Sequence, residues 1–588
     1  MKKAAAALLA AIMAISSFAL TACDQKATAP SEPEALKSTP GLFAHAVLNS
    51  EDSQAWQLWQ SVHDEEFVEA EPNVKYFFLP SSADEKKVDI YNSFAETVSV
   101  NGKDIEAGKT ETVDYAVDTD YTVNAGEDSF TLRFMKSNAE AAIYLNNTDA
   151  DGSGTGLMTY LNDEEENEDK SLVATATGAI VTPDGNIDNT PIAKIKGRGN
   201  TSWAKCKKSY NITYEDKVSI AGMKESKKYS ILANYQDDSL SRNRFLYDLS
   251  DAVGMPYASD SRYVDFYVNG FYWGSYQMCE KVSQGKSSLV NDITAEDYLN
   301  EDGSVKTDFP FICEVDPGAS YFDDYYVSTD TGNKISIKYP ELTREEPGYE
   351  EVKEYVKEKF EEFFYATDDN LSVYGDVDSL TKLYLINELG KNWDSGVSSV
   401  FFVYKPDENG KYKFYGSPVW DYDNSLGNAT GVISELEGNE VYDYEEYTGW
   451  WCENKGSFNN IMNRLSVNEE IAEAAPRIWF DSFVPAMNHF TGKEYSEEID
   501  KEFYTAEEYF ALIKDSAEMN YQSGWLLNTG DWIADHSTLN KAEYDSSTKK
   551  MVVDESATKY GDNFTDMYNY CCDWFAGRAA WLSQEFAK

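Results

Sequence analysis

Histidine is scarce in this chain, with four among 588 residues. A metal centre built on imidazoles, or a hydrolase that depends on a histidine base, has little to draw on. Cysteine is sparse too, seven in all. No two cysteines have CxxC spacing or alternate with histidine as zinc ligands do. Basic residues are outnumbered, 51 Lys and Arg against 103 Asp and Glu, for a formal charge of −52. That balance argues against nucleic acid or anionic lipid as a partner, since both need basic patches. Beyond the N-terminus no apolar run approaches the ~20 residues a membrane-spanning helix requires.

What is present begins with an export signal. Lys2 and Lys3 precede an apolar stretch from Ala4 to Leu20, which ends in Leu20-Thr21-Ala22-Cys23. A basic start, a short apolar core and small residues before a cleavage point mark an exported chain. The cysteine after small residues resembles a lipobox, in which the thiol takes a diacylglyceryl group. The expectation is a lipoprotein signal peptide over residues 1–22, lipidation of Cys23, and a flexible tether over 23–40 rich in Ala, Pro, Ser, Glu and Lys. Such a protein sits on the extracytoplasmic face of the cell membrane, held there by its N-terminal lipid alone.

With 42% hydrophobic and 14% aromatic residues, the remainder can pack a core. Residues 41–137 read as a small β-rich N-terminal domain. Runs such as Val98-Ser99-Val100 and Tyr121-Thr122-Val123 alternate, and Asn101-Gly102 is a type I′ hairpin signal. A second unit spans 138–480. Strands Ile192–Arg198 and Ser209–Tyr214 flank a segment that opens Gly199-Asn200-Thr201-Ser202-Trp203. A helix is expected over about 238–253, and Asn269-Gly270 and Asn409-Gly410 mark hairpins. Val352, Tyr355, Val356, Phe360, Phe363 and Phe364 recur at helical spacing. Another helix starts after Asp376 or Asp378, either of which can act as N-cap. Residues 481–588 read as a helical C-terminal extension. Strands first and helices later indicate an α+β architecture.

Four ordered blocks carry a family resemblance. The first is Lys196-Gly197-Arg198-Gly199-Asn200-Thr201-Ser202-Trp203 with Lys207-Lys208-Ser209-Tyr210. The second is Ser241-Arg242-Asn243, then Val268-Asn269-Gly270 and Gly274-Ser275-Tyr276. The third is Ile337-Lys338-Tyr339-Pro340-Glu341. The fourth joins Asn387-Glu388-Leu389, Asn392-Trp393-Asp394 and Pro418-Val419-Trp420-Asp421-Tyr422-Asp423. Together they resemble the CotH family of atypical secreted protein kinases, named for spore coat protein H. The resemblance implies a divergent bilobal protein-kinase-like domain that uses ATP with Mg or Mn. It also implies transfer to Ser or Thr of a secreted or coat protein, here a Ser/Thr-rich acceptor of basic character.

Phosphoryl transfer needs positioning and charge neutralisation more than covalent chemistry. Set against those needs, the resemblance makes Asp394 the catalytic base and Asp421 the principal metal ligand, with Asp423 assisting or replacing it. Arg198 and Lys208 become phosphate contacts, Lys338 a further phosphate or structural cation, and Glu280 a hinge where backbone groups meet adenine. Spacing alone says little, because Asp-x-Asp recurs at Asp118/Asp120, Asp149/Asp151 and Asp376/Asp378. Arg242 could equally pair with a buried acid. One position departs from the kinase pattern. Five residues after the catalytic Asp, where kinases place a metal-binding Asn, stands Ser399. The alternative reading is a non-catalytic surface adhesin or scaffold that keeps the fold and binds a protein or polysaccharide.

Overall fold

The computed structural model describes residues 39–61, 73–150, 156–163, 165–284, 293–319, 325–367, 370–428, 432–433, 442–443, 446–453, 460–524, 542–545, 550–553 and 563–588. The signal segment, Cys23 and nearly all of the tether lie outside the described residues. No described helix is long and apolar enough to cross a membrane.

Two sheets form the first unit. One orders Trp56–Leu58, Leu42–His45, Lys87–Asn92 and Thr110–Asp114. The other orders Val74–Leu79, Asp128–Lys136, Tyr121–Ala125, Val98–Val100 and Lys103–Ile105. They share a core in which Leu42, Ile90 and Val113 meet Val98, Val123 and Phe134. The Asn101-Gly102 turn has φ of 51° and 76°. Those are the paired positive values of a type I′ hairpin, which Asn and Gly tolerate best.

The next sheet closes on itself. Ala141–Asn146 pairs in parallel with Ser261–Val268 and antiparallel with Ala174–Val181. Phe271–Glu280, Ser226–Leu232, Ser209–Val218 and Ile192–Arg198 complete the circuit. The result is a seven-stranded barrel with the short strand Ile187–Asp188 as an appendage. Ile143, Ile195, Tyr210, Ile212, Tyr229, Ile231, Phe266 and Met278 fill its interior. Because side chains alternate along a strand, Lys196, Arg198, Asn211, Ser230 and Cys279 lie on the outer face. The expected two-lobed body did not include this closure. It depends on a pairing between strands more than a hundred residues apart, which local pattern does not record.

A five-stranded sheet follows, ordered Tyr326–Ser328, Lys334–Tyr339, Phe311–Val315, Val400–Pro406 and Tyr412–Gly416. The helix Tyr349–Ala366 packs on it through Val352, Val356, Phe360, Phe363 and Phe364, all buried as their spacing requires. Asp376 caps the helix Val377–Gly390, accepting from the Ser379 N–H at 2.8 Å. The helices Arg242–Ala252, Ala506–Gln522 and Phe564–Phe586 complete a core shared with this sheet. The chain is thus a mixed α+β protein.

Candidate functional site

The helix Arg242–Ala252 holds the segment that carries Asp421 and Asp423. Asn243 and Tyr247, four residues apart, lie on one helix face. The Asn243 amide oxygen accepts from the Tyr422 N–H at 2.7 Å. The Tyr247 hydroxyl accepts from the Asp421 N–H at 3.3 Å. Arg242 donates to the Ser425 carbonyl at 3.0 Å and pairs with buried Asp237. Its role in the free protein is therefore structural.

Asn392 ties the segments of Asp394 and Asp421 together. Its amide donates to the Asp421 carbonyl at 3.2 Å, and its side-chain oxygen accepts from the Asp394 N–H at 3.1 Å. The Trp451 indole N–H donates to the Asn392 carbonyl at 2.9 Å, which anchors the bridge from behind. Sequence reasoning quoted Asn392 only as part of a block. Its adjacency to Asp394 was the available signal.

Four non-glycine residues around the site have left-handed backbone: Lys391, Ser399, Asp421 and Leu426, with φ of 44°, 57°, 67° and 47°. Such conformations persist only where surrounding contacts impose them, and they gather at functional sites. Ser399 donates its hydroxyl to Asp421 Oδ2 at 3.2 Å. The residue in the kinase asparagine position thus orients the neighbouring carboxylate.

The carboxylates burden one another. Asp423 has its carboxyl pushed well above the usual range, first by burial and then by the charges of Asp421, Asp394 and Asp237. No lysine or arginine pairs with Asp421 or Asp423 among the described residues. Nearby, Asn428 donates its amide to the carbonyls of Asp423 and Gln236 at 2.7 and 2.6 Å. Its side-chain oxygen is buried without a hydrogen-bond partner among the described residues. Crowded carboxylates and an orphaned amide oxygen are hard donors that fit Mg or Mn.

The expected cations divide. Arg198 lies with its guanidinium 5.4 Å from the centre of the Trp420 ring, beside Asp421 in sequence. Tyr247 stacks on Trp420, ring centres 5.6 Å apart. Gly197 lets Trp203 close over the strand, since a Cβ there would run into the Trp203 ring. Lys208 is placed otherwise than expected. Its ammonium donates to the carbonyls of Trp203 and Lys205 at 2.7 and 3.2 Å, bracing the glycine loop. Lys207, which the sequence reading quoted in the same block without giving it a role, is buried. It donates to Ala233 O, Ser275 O and Asn520 Oδ1 at 3.2, 2.5 and 2.9 Å, and so docks the helix Ala506–Gln522 on the barrel. Lys338 pairs with Glu314 at 2.6 Å, and Glu314 lies within electrostatic reach of Asp421.

Glu280 also departs from expectation. Its N–H donates to Asp260 O at 3.0 Å, and the Lys281 N–H to Lys228 O at 3.4 Å. Neither amide is left to meet a base. The Glu280 side chain is buried at the barrel end, where burial and then Asp260 push its carboxyl up to about 7.

A second cluster of metal-ligating groups joins His489, Asp500 and Glu508. His489 Nδ1 accepts the Ser496 N–H at 3.0 Å. Its Nε2 lies 3.2 Å from Asp500 Oδ1, and neither atom has a hydrogen-bond partner among the described residues.

A family model described as CotH kinase protein matches residues 195–582. The match takes in the helix Phe564–Phe586 as far as residue 582, which the sequence reading had set apart as an extension. No curated protein matches the chain.

Proposed function

The chain belongs to the CotH kinase family, and on that premise we propose that it is an extracytoplasmic kinase that moves the γ-phosphate of ATP to Ser or Thr of a secreted or surface protein. The observation that carries this reading is the grouping of Asp394, Asp421 and Asp423, the first two bridged by Asn392, with Arg198 over the ring of Trp420, the residue before Asp421. In this reading the barrel is the nucleotide-side lobe, and the five-stranded sheet with its helices is the other.

Asp394 accepts the proton of the acceptor hydroxyl, as a catalytic-loop carboxylate must. Asp421 and Asp423 would hold Mg or Mn, with the Asn428 oxygen as a further donor. The bound ion supplies charge neutralisation at the β- and γ-phosphates. Ser399 fixes the Asp421 carboxylate, and Asn392 keeps its distance to Asp394 constant. Arg198 steadies phosphate charge from the barrel side. Lys338 is oriented by Glu314, the kind of lysine–glutamate pair that kinases use to direct a phosphate-binding lysine. The export signal supports a lipid anchor at Cys23 and a place outside the membrane. The charge of −52 favours a basic acceptor.

The full-length chain in detergent, with γ-labelled ATP, Mg or Mn and a basic Ser-rich acceptor, tests the proposal beside Asp394→Ala and Asp421→Asn. Metal-dependent label transfer by the wild type alone is the expected result. No transfer, together with no nucleotide-induced thermal shift, would refute it and favour the adhesin or scaffold reading.

A further inference from the structure

A buried triad that the proposed chemistry leaves unused lies where the helix Ala506–Gln522 meets the barrel. Its members are Lys207, Asp265 and Asn520, exposed by 1%, 0% and 2%. Ser516 and Asn520 are four residues apart and share one helix face. The Ser516 hydroxyl donates to Asp265 Oδ1 at 2.7 Å. Asn520 Oδ1 accepts from Lys207 Nζ at 2.9 Å and from the Ser275 N–H at 3.0 Å. Ser275 stands directly opposite Asp265 in the antiparallel pair of Ser261–Val268 with Phe271–Glu280. Its carbonyl also accepts from Lys207 Nζ. One helix and two strands therefore bring an amine, a carboxyl and a primary amide together out of contact with solvent.

The surroundings favour reaction over ion pairing. All three partners of Lys207 Nζ are neutral, two carbonyls and an amide oxygen. Burial pushes its ammonium well below the ordinary value, against the pull of Asp265. A lysine in that state keeps a lone pair and is a nucleophile near neutral pH. A neutral amine has only two hydrogens for these three acceptors, which leaves the lone pair turned toward one of them. Burial also raises the Asp265 carboxyl to about 6, opposed by Ser516, Ser137, Tyr272 and the charge of Lys207. Asp265 Oδ2 has no hydrogen-bond partner among the described residues. The Tyr276 ring centre lies 4.3 Å from Lys207 Nζ and walls the pocket on that side. An amine, an amide carbon held beside it and a carboxyl that can carry a proton are the parts that amide exchange needs.

We propose that Lys207 and Asn520 become joined by an amide bond, with Asp265 as the proton carrier. Lys207 Nζ attacks Asn520 Cγ, and the new N–C bond forms. The Asp265 carboxyl gives its proton to Asn520 Nδ2 and takes one from Nζ. The Cγ–Nδ2 bond breaks, and ammonia leaves. One secondary amide and one ammonia replace one amine and one primary amide, so neither oxidant nor co-reactant is required. The Ser275 N–H, already on Oδ1, steadies the negative charge that this oxygen gains during attack. The bond closes a loop between residues 313 apart in sequence, and that loop contains Asp394, Asp421 and Asp423. It restricts the unfolded chain as a disulfide does, and it keeps the helix Ala506–Gln522 on the barrel.

Peptide mass spectrometry of the full-length chain, digested after denaturation, tests this directly. The proteins are wild type, Lys207→Met and Asp265→Asn. The wild type should yield one branched peptide that joins the segment around Lys207 to the segment around Asn520. Its mass should be the sum of the two peptides less one ammonia. Lys207→Met should yield none. Asp265→Asn keeps the size of the side chain and should form the joined peptide roughly 100-fold more slowly, followed in time after cell-free synthesis. A denaturing, reducing gel gives a second readout. A chain nicked once between residues 208 and 519 should run as one species in the wild type and as two fragments in Lys207→Met. Separate, unmodified peptides from the folded wild type would overturn the proposal and leave Lys207 a hydrogen-bond donor only. Joining in Asp265→Asn at the wild-type rate would overturn it as well. The wild type is decisive by itself, so a variant that fails to fold does not shelter the proposal.

Discussion

Two groups of charge in this protein are organised in opposite ways. Behind the site, Arg578 and Glu388 are both solvent-inaccessible and meet at 2.6 Å. Glu388 also accepts the N–H groups of Trp451 and Cys452 at 2.6 and 2.8 Å. Arg578 also reaches the Tyr447 and Gly449 carbonyls at 3.0 and 2.7 Å. Every charge there has a partner of the other sign. At the candidate site carboxylates crowd one another instead, and no lysine or arginine pairs with Asp421 or Asp423 among the described residues. Matched charge holds the fold together. Crowded carboxylates store an unfavourable energy that a bound cation would release.

That contrast can be broken by mutation. Arg578→Met strands the buried Glu388 carboxylate and should cost about 3–5 kcal/mol in chemical denaturation. A loss below about 1 kcal/mol would remove the matched group from the account of stability. Lys207→Ala deprives Asn520 and two carbonyls of their donor, and a loss of about 2–3 kcal/mol is expected. Proteolysis should show the helix Ala506–Gln522 loosening first.

Glu280 sharpens the comparison through pH. Its carboxyl is raised from an ordinary 4.5 to about 7, so the folded state keeps a proton that the unfolded state releases. This group therefore takes stability away as pH climbs from about 4.5 to 7, with no further loss above that. Glu280→Gln should match the wild type near pH 4 and exceed it by on the order of 2 kcal/mol at pH 8. Parallel stability curves would show that the buried carboxyl is not strained. The smallest change in stability is expected at the crowded site itself. Asp421→Asn should alter unfolding by less than about 1 kcal/mol, because it relieves repulsion. The same substitution should lower transfer by roughly 100-fold or more. Marked destabilisation would make Asp421 a structural residue.

Much of the local structure was legible. The Asn101-Gly102 and Asn269-Gly270 turns, the apolar stripe from Val352 to Phe364 and the cap at Asp376 follow from short-range rules, and each is present. Site residues were legible by type and order, and less so by contact. Lys207 and Lys208 are adjacent lysines of one block, yet one pins a helix and the other braces a loop. Glu280 and Lys281 sit side by side, yet the first turns into the barrel end and the second onto its outer face. Adjacent residues on a strand always part in this way, and sequence does not say which face meets the cleft.

The sequence by itself determined the α+β character, the family and the roster of carboxylates and cations, because these rest on residue identity and on spacing within a few residues. Tertiary structure alone decided the rest. It closed the barrel, since strand pairing across long separations is a property of the packed chain. It placed Asn392 between Asp394 and Asp421, and it paired some charges with the opposite sign while crowding others with their own. Whether a buried charge supports the fold or awaits a ligand depends on what lies within a few ångströms of it, and only folding fixes those distances.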